Sequence, residues 1–217
     1  MNDTYFVFQP IVNAFDKSIF GYEALMRNRA NIPITQIIDN CSTYDDFYKI
    51  ERDTFFLATK AFRERGYEGH LFINSFPNIF LNEEDLFLFI KTNNDILENI
   101  VIEILENPSL DSIAHKKKIL MSREFNSLLA LDDFGTGNNG FNSIESVCPN
   151  IIKIDKSLVT DIPNNPTNQE TISSLFQICK ATNIKLLAEG VETEEEYNYF
   201  KNIGVDYIQG YYISKPF

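Results

Sequence analysis

Carboxylates, amides and one lysine recur at the ends of apolar runs in this chain, and that recurrence is its strongest chemical signal. Glu23, Asn74, Glu103, Asp132 with Asp133, Lys153 with Asp155, Glu189 and Gln209 each close a stretch of apolar residues. Taken singly, such a residue is most simply a polar group meeting solvent where a strand ends. Taken together they are a set of oxygen donors, and carboxylates gathered at one place repel unless a cation holds them. Oxygen-only ligands suit Mg²⁺ or Mn²⁺ better than zinc. The two histidines, His70 and His115, close no strand run and read as surface residues. No GxSxG segment is present, and Lys116–Lys118 reads as a solvated helix face.

These side chains need a frame that brings many strand ends together. Eight runs read as strands: 5–9, 18–25, 71–74, 100–104, 128–132, 151–155, 184–189 and 206–209. Most are continuous in Ile, Leu, Val and Phe, the pattern of parallel strands covered on both faces. Helical signals lie between them. Thr43 with Asp46 opens an amphipathic stretch through Phe47, Ile50, Leu57 and Phe62. Residues 170–180 put Ile172, Leu175, Phe176 and Cys179 on one face, and Thr193 with Glu196 forms a capping box that Gly204 later ends. Alternating strands and helices imply an α/β fold, a TIM-like (β/α)8 barrel whose strand ends converge on one face. The first two runs are joined by a connection too short for a crossover helix, so the barrel is expected to carry one antiparallel strand near the N-terminus.

Composition narrows the class. The 217 residues are 44% hydrophobic with nineteen Phe and ten Tyr, enough for one large core and a single domain over 1–217. Nineteen basic residues stand against thirty-one acidic, a formal charge of −12, which argues against a nucleic-acid polymer as partner. No apolar run is long enough to span a membrane, and the start MNDTYFVFQP lacks the pattern of a secretory signal. Cys41, Cys148 and Cys179 are odd in number and widely spaced, which suits a reducing compartment and sets the cytoplasm as the expected location. Gly135-Thr136-Gly137-Asn138-Asn139-Gly140 formally matches a dinucleotide-binding GxGxxG. Asp132 and Asp133 directly before it would repel a pyrophosphate, and the segment after it is a poor helix start, so that reading is set aside.

The residues also resemble a known family. Glu23-Ala24-Leu25 with Arg27 is similar to the signature of EAL-domain cyclic di-GMP phosphodiesterases, and FQPIV (8–12) resembles the family's entry segment. The likeness continues through Asn74 in FINSFP, Glu103 and Glu106 in IEILE, and DDFGTG from Asp132. It extends to Lys153 and Asp155 in IKIDKS, Glu189 and Glu192 in AEGVET, and Gln209 in IQGYYISKP. The resemblance implies a site with two cations, Mg²⁺ or Mn²⁺. Glu23, Asn74, Glu103 and Asp132 would hold one, with Asp133 among the ligands of the second. It implies that a water between them attacks a phosphorus of cyclic di-GMP to give linear pGpG. Lys153 would stabilise that water and the phosphoryl charge, Glu189 would act as base or second-metal group, and Gln209 would position water or substrate. Arg27, Gln9 and Asp155 would contact substrate, and Glu106 and Glu192 would anchor loops.

Several positions depart from the family pattern: Asn28 after the Arg, Phe76 for a small residue, Leu105 for a Thr, and Asn138-Asn139-Gly140 after the central glycines. No helix is read before the first strand run or after the last, so part of the barrel wall is expected to be uncovered and the chain to form a homodimer. The alternative to an enzyme is a non-catalytic module that binds cyclic di-GMP or a protein partner.

Overall fold

The structure is a computed structural model that describes residues 4–105, 113–136 and 141–217. Eight strands close in chain order into a barrel: β1 (Thr4–Asn13), β2 (Ile19–Asn28), β3 (His70–Ser75), β4 (Ile100–Leu105), β5 (Leu128–Phe134), β6 (Ile151–Ile154), β7 (Lys185–Ala188) and β8 (Tyr207–Ile208). β1 runs antiparallel to both neighbours, β2 and β8, and the remaining pairs are parallel. The reversed strand expected from the short first connection is therefore present. The helices α1 (Ile34–Asp39), α2 (Tyr44–Glu64), α3 (Glu83–Asn93), α4 (Ile113–Phe125), α5 (Phe141–Val147), α6 (Lys156–Val159), α7 (Pro166–Thr182) and α8 (Glu194–Ile203) alternate with the strands.

Both capping boxes form. Thr43 accepts from the Asp46 amide to start α2, and Thr193 accepts from the Glu196 amide to start α8. The helix α2 then buries Ile50, Phe55, Ala58 and Phe62, the spacing of one helical face. Among the described residues no helix is long and apolar enough to cross a membrane.

The barrel has two apolar layers. The larger packs the outward faces of the strands against the helices, with Leu71, Ile73, Ile102, Leu131 and Ile154 among its members. The smaller fills the barrel interior with Ile11, Phe72, Val101, Ala130, Ile151 and Leu187. Strand side chains alternate, so the residue two places beyond each interior plug must also face inward. From Phe72, Val101, Ala130, Ile151 and Leu187 that step reaches Asn74, Glu103, Asp132, Lys153 and Glu189. On the reversed β1 the step runs backwards, from Ile11 to Gln9. The apolar plug thus carries a polar layer at one mouth.

Four expectations change. His115 is 1% exposed and His70 is half-buried, stacked on Phe20 at 4.3 Å, so neither is a surface residue. Lys118 is 1% exposed and not part of a solvated face, because it meets Glu51 of α2. The outer face of β1 is covered: Phe8 packs against Phe62 and Tyr67, and it exchanges two backbone hydrogen bonds of 3.0 Å with Phe217. That wall therefore offers no evidence for a dimer interface. Glu106 and the loop residues Asn138, Asn139 and Gly140 lie outside the described residues.

Candidate active site

At the polar mouth four carboxylates surround one ammonium. Lys153 Nζ lies 2.6 Å from Glu189 Oε1, 3.0 Å from Asp132 Oδ1 and 3.9 Å from Glu23 Oε1, and it contacts Glu103 Oε1 directly. Gln209 donates to Glu23 at 2.7 Å and to Gln9 at 3.2 Å, and Gln9 donates to the Ser214 carbonyl at 3.0 Å. Asn74 donates through Nδ2 to Glu23 Oε1 at 3.1 Å, which leaves its amide oxygen free of that bond and able to serve a cation. Gln209 sits just past β8, and the next residue is Gly210 for a steric reason. A Cβ at Gly210 would stand 2.0 Å from the Val191 carbonyl oxygen.

Consecutive strand residues point to opposite faces, so Asp132 and Asp133 should not share a mouth. A break in the β5–β6 register between Leu131 and Phe134 removes that obstacle. Asp133 adopts φ 54, its amide donates to Asp132 Oδ1 at 3.0 Å, and both carboxylates line one cavity of about 310 Å³.

Burial and crowding shift the protons here. Burial drives the Glu103 carboxyl well above the ordinary carboxylate range, and Glu23, Asp132 and Glu189 add to it while Lys153 opposes. Glu189 is raised well above that range by burial, against the pull of Lys153, with Asp132 and Glu23 adding to it. Burial and the neighbouring Asp132 push Asp133 up to about 6. For Lys153 burial disfavours the charge, yet Asp132, Glu103, Glu189 and Glu23 outweigh it and hold the ammonium well above the ordinary lysine value. One lysine facing four carboxylates leaves the mouth short of positive charge.

The donor set fits a hard divalent cation. Glu103, Asp132 and Glu189 each offer an oxygen within 4.8 Å of the others. Glu103 is 1% exposed, and neither of its oxygens makes a hydrogen bond of good geometry, although Oε1 touches the Lys153 ammonium. A buried carboxylate in that position is a poor structural device and a good metal ligand.

Other expected site residues stand apart. Arg27 donates to the Met26 carbonyl at 2.8 Å and lines a neighbouring, largely apolar pocket of about 260 Å³ with Asn74, Phe76 and Leu105. Asp155 caps α6, accepting from the Ser157 amide at 2.9 Å. Glu192 lines the main cavity and pairs with Lys156, which ties the loop after β7 to the start of α6. Lys156 and Tyr211 also line that cavity and were not singled out from sequence. Their signal was present: each lies within two residues of a strand-end polar group.

The EAL domain family model matches residues 1–216. The chain belongs to the EAL domain family. A curated relative of this EAL domain, the probable cyclic di-GMP phosphodiesterase PdeD of Escherichia coli, is 29% identical over 96% of the chain. The chain spans 40% of the length of that relative and 44% of a second from the same organism, PdeG. Among solved structures, a standalone EAL protein from Vibrio cholerae with cyclic di-GMP bound superposes with a TM-score of 0.88. It is 32% identical, and the match covers 99% of this chain and 92% of that one. Klebsiella pneumoniae BlrP1, in a manganese and cyclic di-GMP complex, gives a TM-score of 0.85 at 25% identity, over 99% of this chain and 56% of that one.

Proposed function

We propose that this EAL domain is a phosphodiesterase that hydrolyses cyclic di-GMP to linear pGpG with two Mg²⁺ or Mn²⁺ ions. The observation that carries the reading is the buried ring of Glu23, Glu103, Asp132 and Glu189 about Lys153 at the mouth of an open cavity. Glu23, Asn74, Glu103 and Asp132 would hold one ion, and Asp133 would serve the second. When bound, such ions supply charge neutralisation for an attacking water and for the phosphoryl oxygens.

The chain's own residues then have separable tasks. Lys153, fixed by its carboxylate contacts, holds positive charge where the phosphoryl group becomes more negative. Glu189 keeps Oε1 on Lys153 at 2.6 Å, so its other oxygen is the one to accept the proton that water gives up. Gln209 and Gln9 form a chain of amides to Glu23 and orient it. Arg27, near the end of β2, would hold a phosphate that does not react. The bond formed joins water oxygen to phosphorus, the ring P–O bond breaks, and the departing ribose oxygen takes a proton from solvent to become a hydroxyl. Glu23→Ala removes a ligand and the acceptor of the Asn74 and Gln209 amides, so turnover should fall to background. Near-normal turnover in that variant would place the ions elsewhere.

The proton shifts give a second expected result. Glu103, Glu189 and Asp133 have folded pKa values above their unfolded ones, so each holds its proton to higher pH than a free carboxylate does. A cation must displace those protons, so its apparent affinity should rise with pH, and the share due to Asp133 should be full below its value of about 6 and fade above it. Calorimetry of Mn²⁺ binding in buffers of different ionisation heat should show proton release. Binding with no proton release and no pH dependence would contradict the crowded-carboxylate account.

A further inference from the structure

A second buried charge cluster lies behind the site, on the side of Asn74. Lys118 of α4 and Glu51 of α2 are each 1% exposed and lie 2.8 Å apart. The Lys118 ammonium has three hydrogens to donate, and it has three acceptors: Glu51 Oε1 at 2.8 Å, Ser75 Oγ at 2.5 Å and the Phe76 carbonyl at 2.5 Å. Glu51 uses both oxygens. Oε1 also accepts from Ser75 Oγ at 2.5 Å, and Oε2 accepts from the Phe76 amide at 2.9 Å. The cluster therefore grips Phe76 through both its N–H and its C=O, together with the Ser75 side chain. These are the two residues after Asn74.

Stability is a poor reason for such a cluster. Desolvating two ions costs several kcal/mol each, and apolar residues of like volume commonly serve as well or better. Its distinct product is geometry. The charges come from two helices and meet on the last residue of β3 and the one after it, where the chain leaves the sheet. We propose that Glu51, Lys118 and Ser75 are positioning residues that fix the end of β3, so that Asn74 presents its amide oxygen to a cation at the mouth. The proposal rests on the metal-dependent reading above. It acts through Asn74 and assigns no contact with substrate to the cluster.

The test compares wild type, the double variant Glu51→Leu/Lys118→Met and the single variant Ser75→Ala. The double variant removes both charges together and leaves neither buried alone. Two readouts are taken: the Mn²⁺ concentration giving half the maximal thermal stabilisation, and turnover of cyclic di-GMP at limiting and saturating Mn²⁺. Partners behind metal ligands typically govern affinity by about 10–100-fold. The double variant should need at least about tenfold more Mn²⁺ for half-stabilisation, and Ser75→Ala about threefold more. Turnover should fall at limiting Mn²⁺ and recover within about threefold of wild type at saturation. A merely structural cluster would lower the melting temperature and leave the half-stabilising concentration unmoved. Folded variants with Mn²⁺ requirements within twofold of wild type would overturn the proposal. Should the double variant not fold, Ser75→Ala decides alone by the same criterion. A wild type that Mn²⁺ does not stabilise would instead overturn the functional reading itself.

Discussion

Lys153→Met is expected to cut turnover of cyclic di-GMP by more than about a hundredfold and to weaken the metal-free protein by about 3 kcal/mol. Methionine keeps most of the lysine stem and its packing, so the change isolates the ammonium. Without it, Glu23, Glu103, Asp132 and Glu189 face one another with no cation among them. Removing one partner of a buried ionic cluster leaves charge uncompensated, which is the costly way to break it. For a domain of this size about 3 kcal/mol corresponds to a melting temperature lower by roughly 6–12 °C. Mn²⁺ should restore most of that loss, because it supplies the missing positive charge. It should not restore turnover, since the charge held beside the reacting phosphoryl group is gone. Melting scans in EDTA and in excess Mn²⁺, with turnover measured alongside, separate these effects. A variant that melts like wild type in EDTA would show that the ammonium does not neutralise the ring.

Asp132→Asn should behave in the opposite way without metal. The asparagine Oδ1 can still accept from the Asp133 amide and still face Lys153, so both contacts of Asp132 persist. One negative charge leaves a crowded ring, and the metal-free variant should melt no lower than wild type. The response to metal should change sharply. In wild type, ligand at a hundredfold excess over its dissociation constant contributes about 2.7 kcal/mol, a rise of roughly 5–10 °C. In the variant that rise should shrink to a small fraction, because a neutral amide replaces an anionic ligand. An aspartate that merely capped its strand would give a destabilised variant with no metal response to lose.

The barrel was legible from the sequence because its strands are short, apolar and separated by helical segments, and because one connector is too short for a crossover. The polar layer was legible because Asn74, Glu103, Asp132, Lys153 and Glu189 stand at the ends of those runs, and the structure then sets each two residues beyond an apolar plug. What escaped depends on contacts distant in sequence. Lys118 sits in a run of three lysines, and nothing local distinguishes the one that meets Glu51 sixty-seven positions earlier. Its burial is decided by its reach across to Glu51 of α2 and the end of β3. Asp133 was expected at the mouth from its place in the strand-end set, and a register break rather than alternation is what brings it there. Asp155 ended a strand run as expected, yet its carboxylate serves as a helix cap. Spacing alone does not separate those two uses of a strand-end aspartate.

The most direct measurement is incubation of the protein with cyclic di-GMP and Mg²⁺ or Mn²⁺, followed by chromatography of the nucleotides. The account predicts that linear pGpG accumulates with either ion and that EDTA leaves the substrate intact. Intact cyclic di-GMP after prolonged incubation with both ions would contradict it. If that protein still bound the dinucleotide, the chain would be a recognition module and not an enzyme.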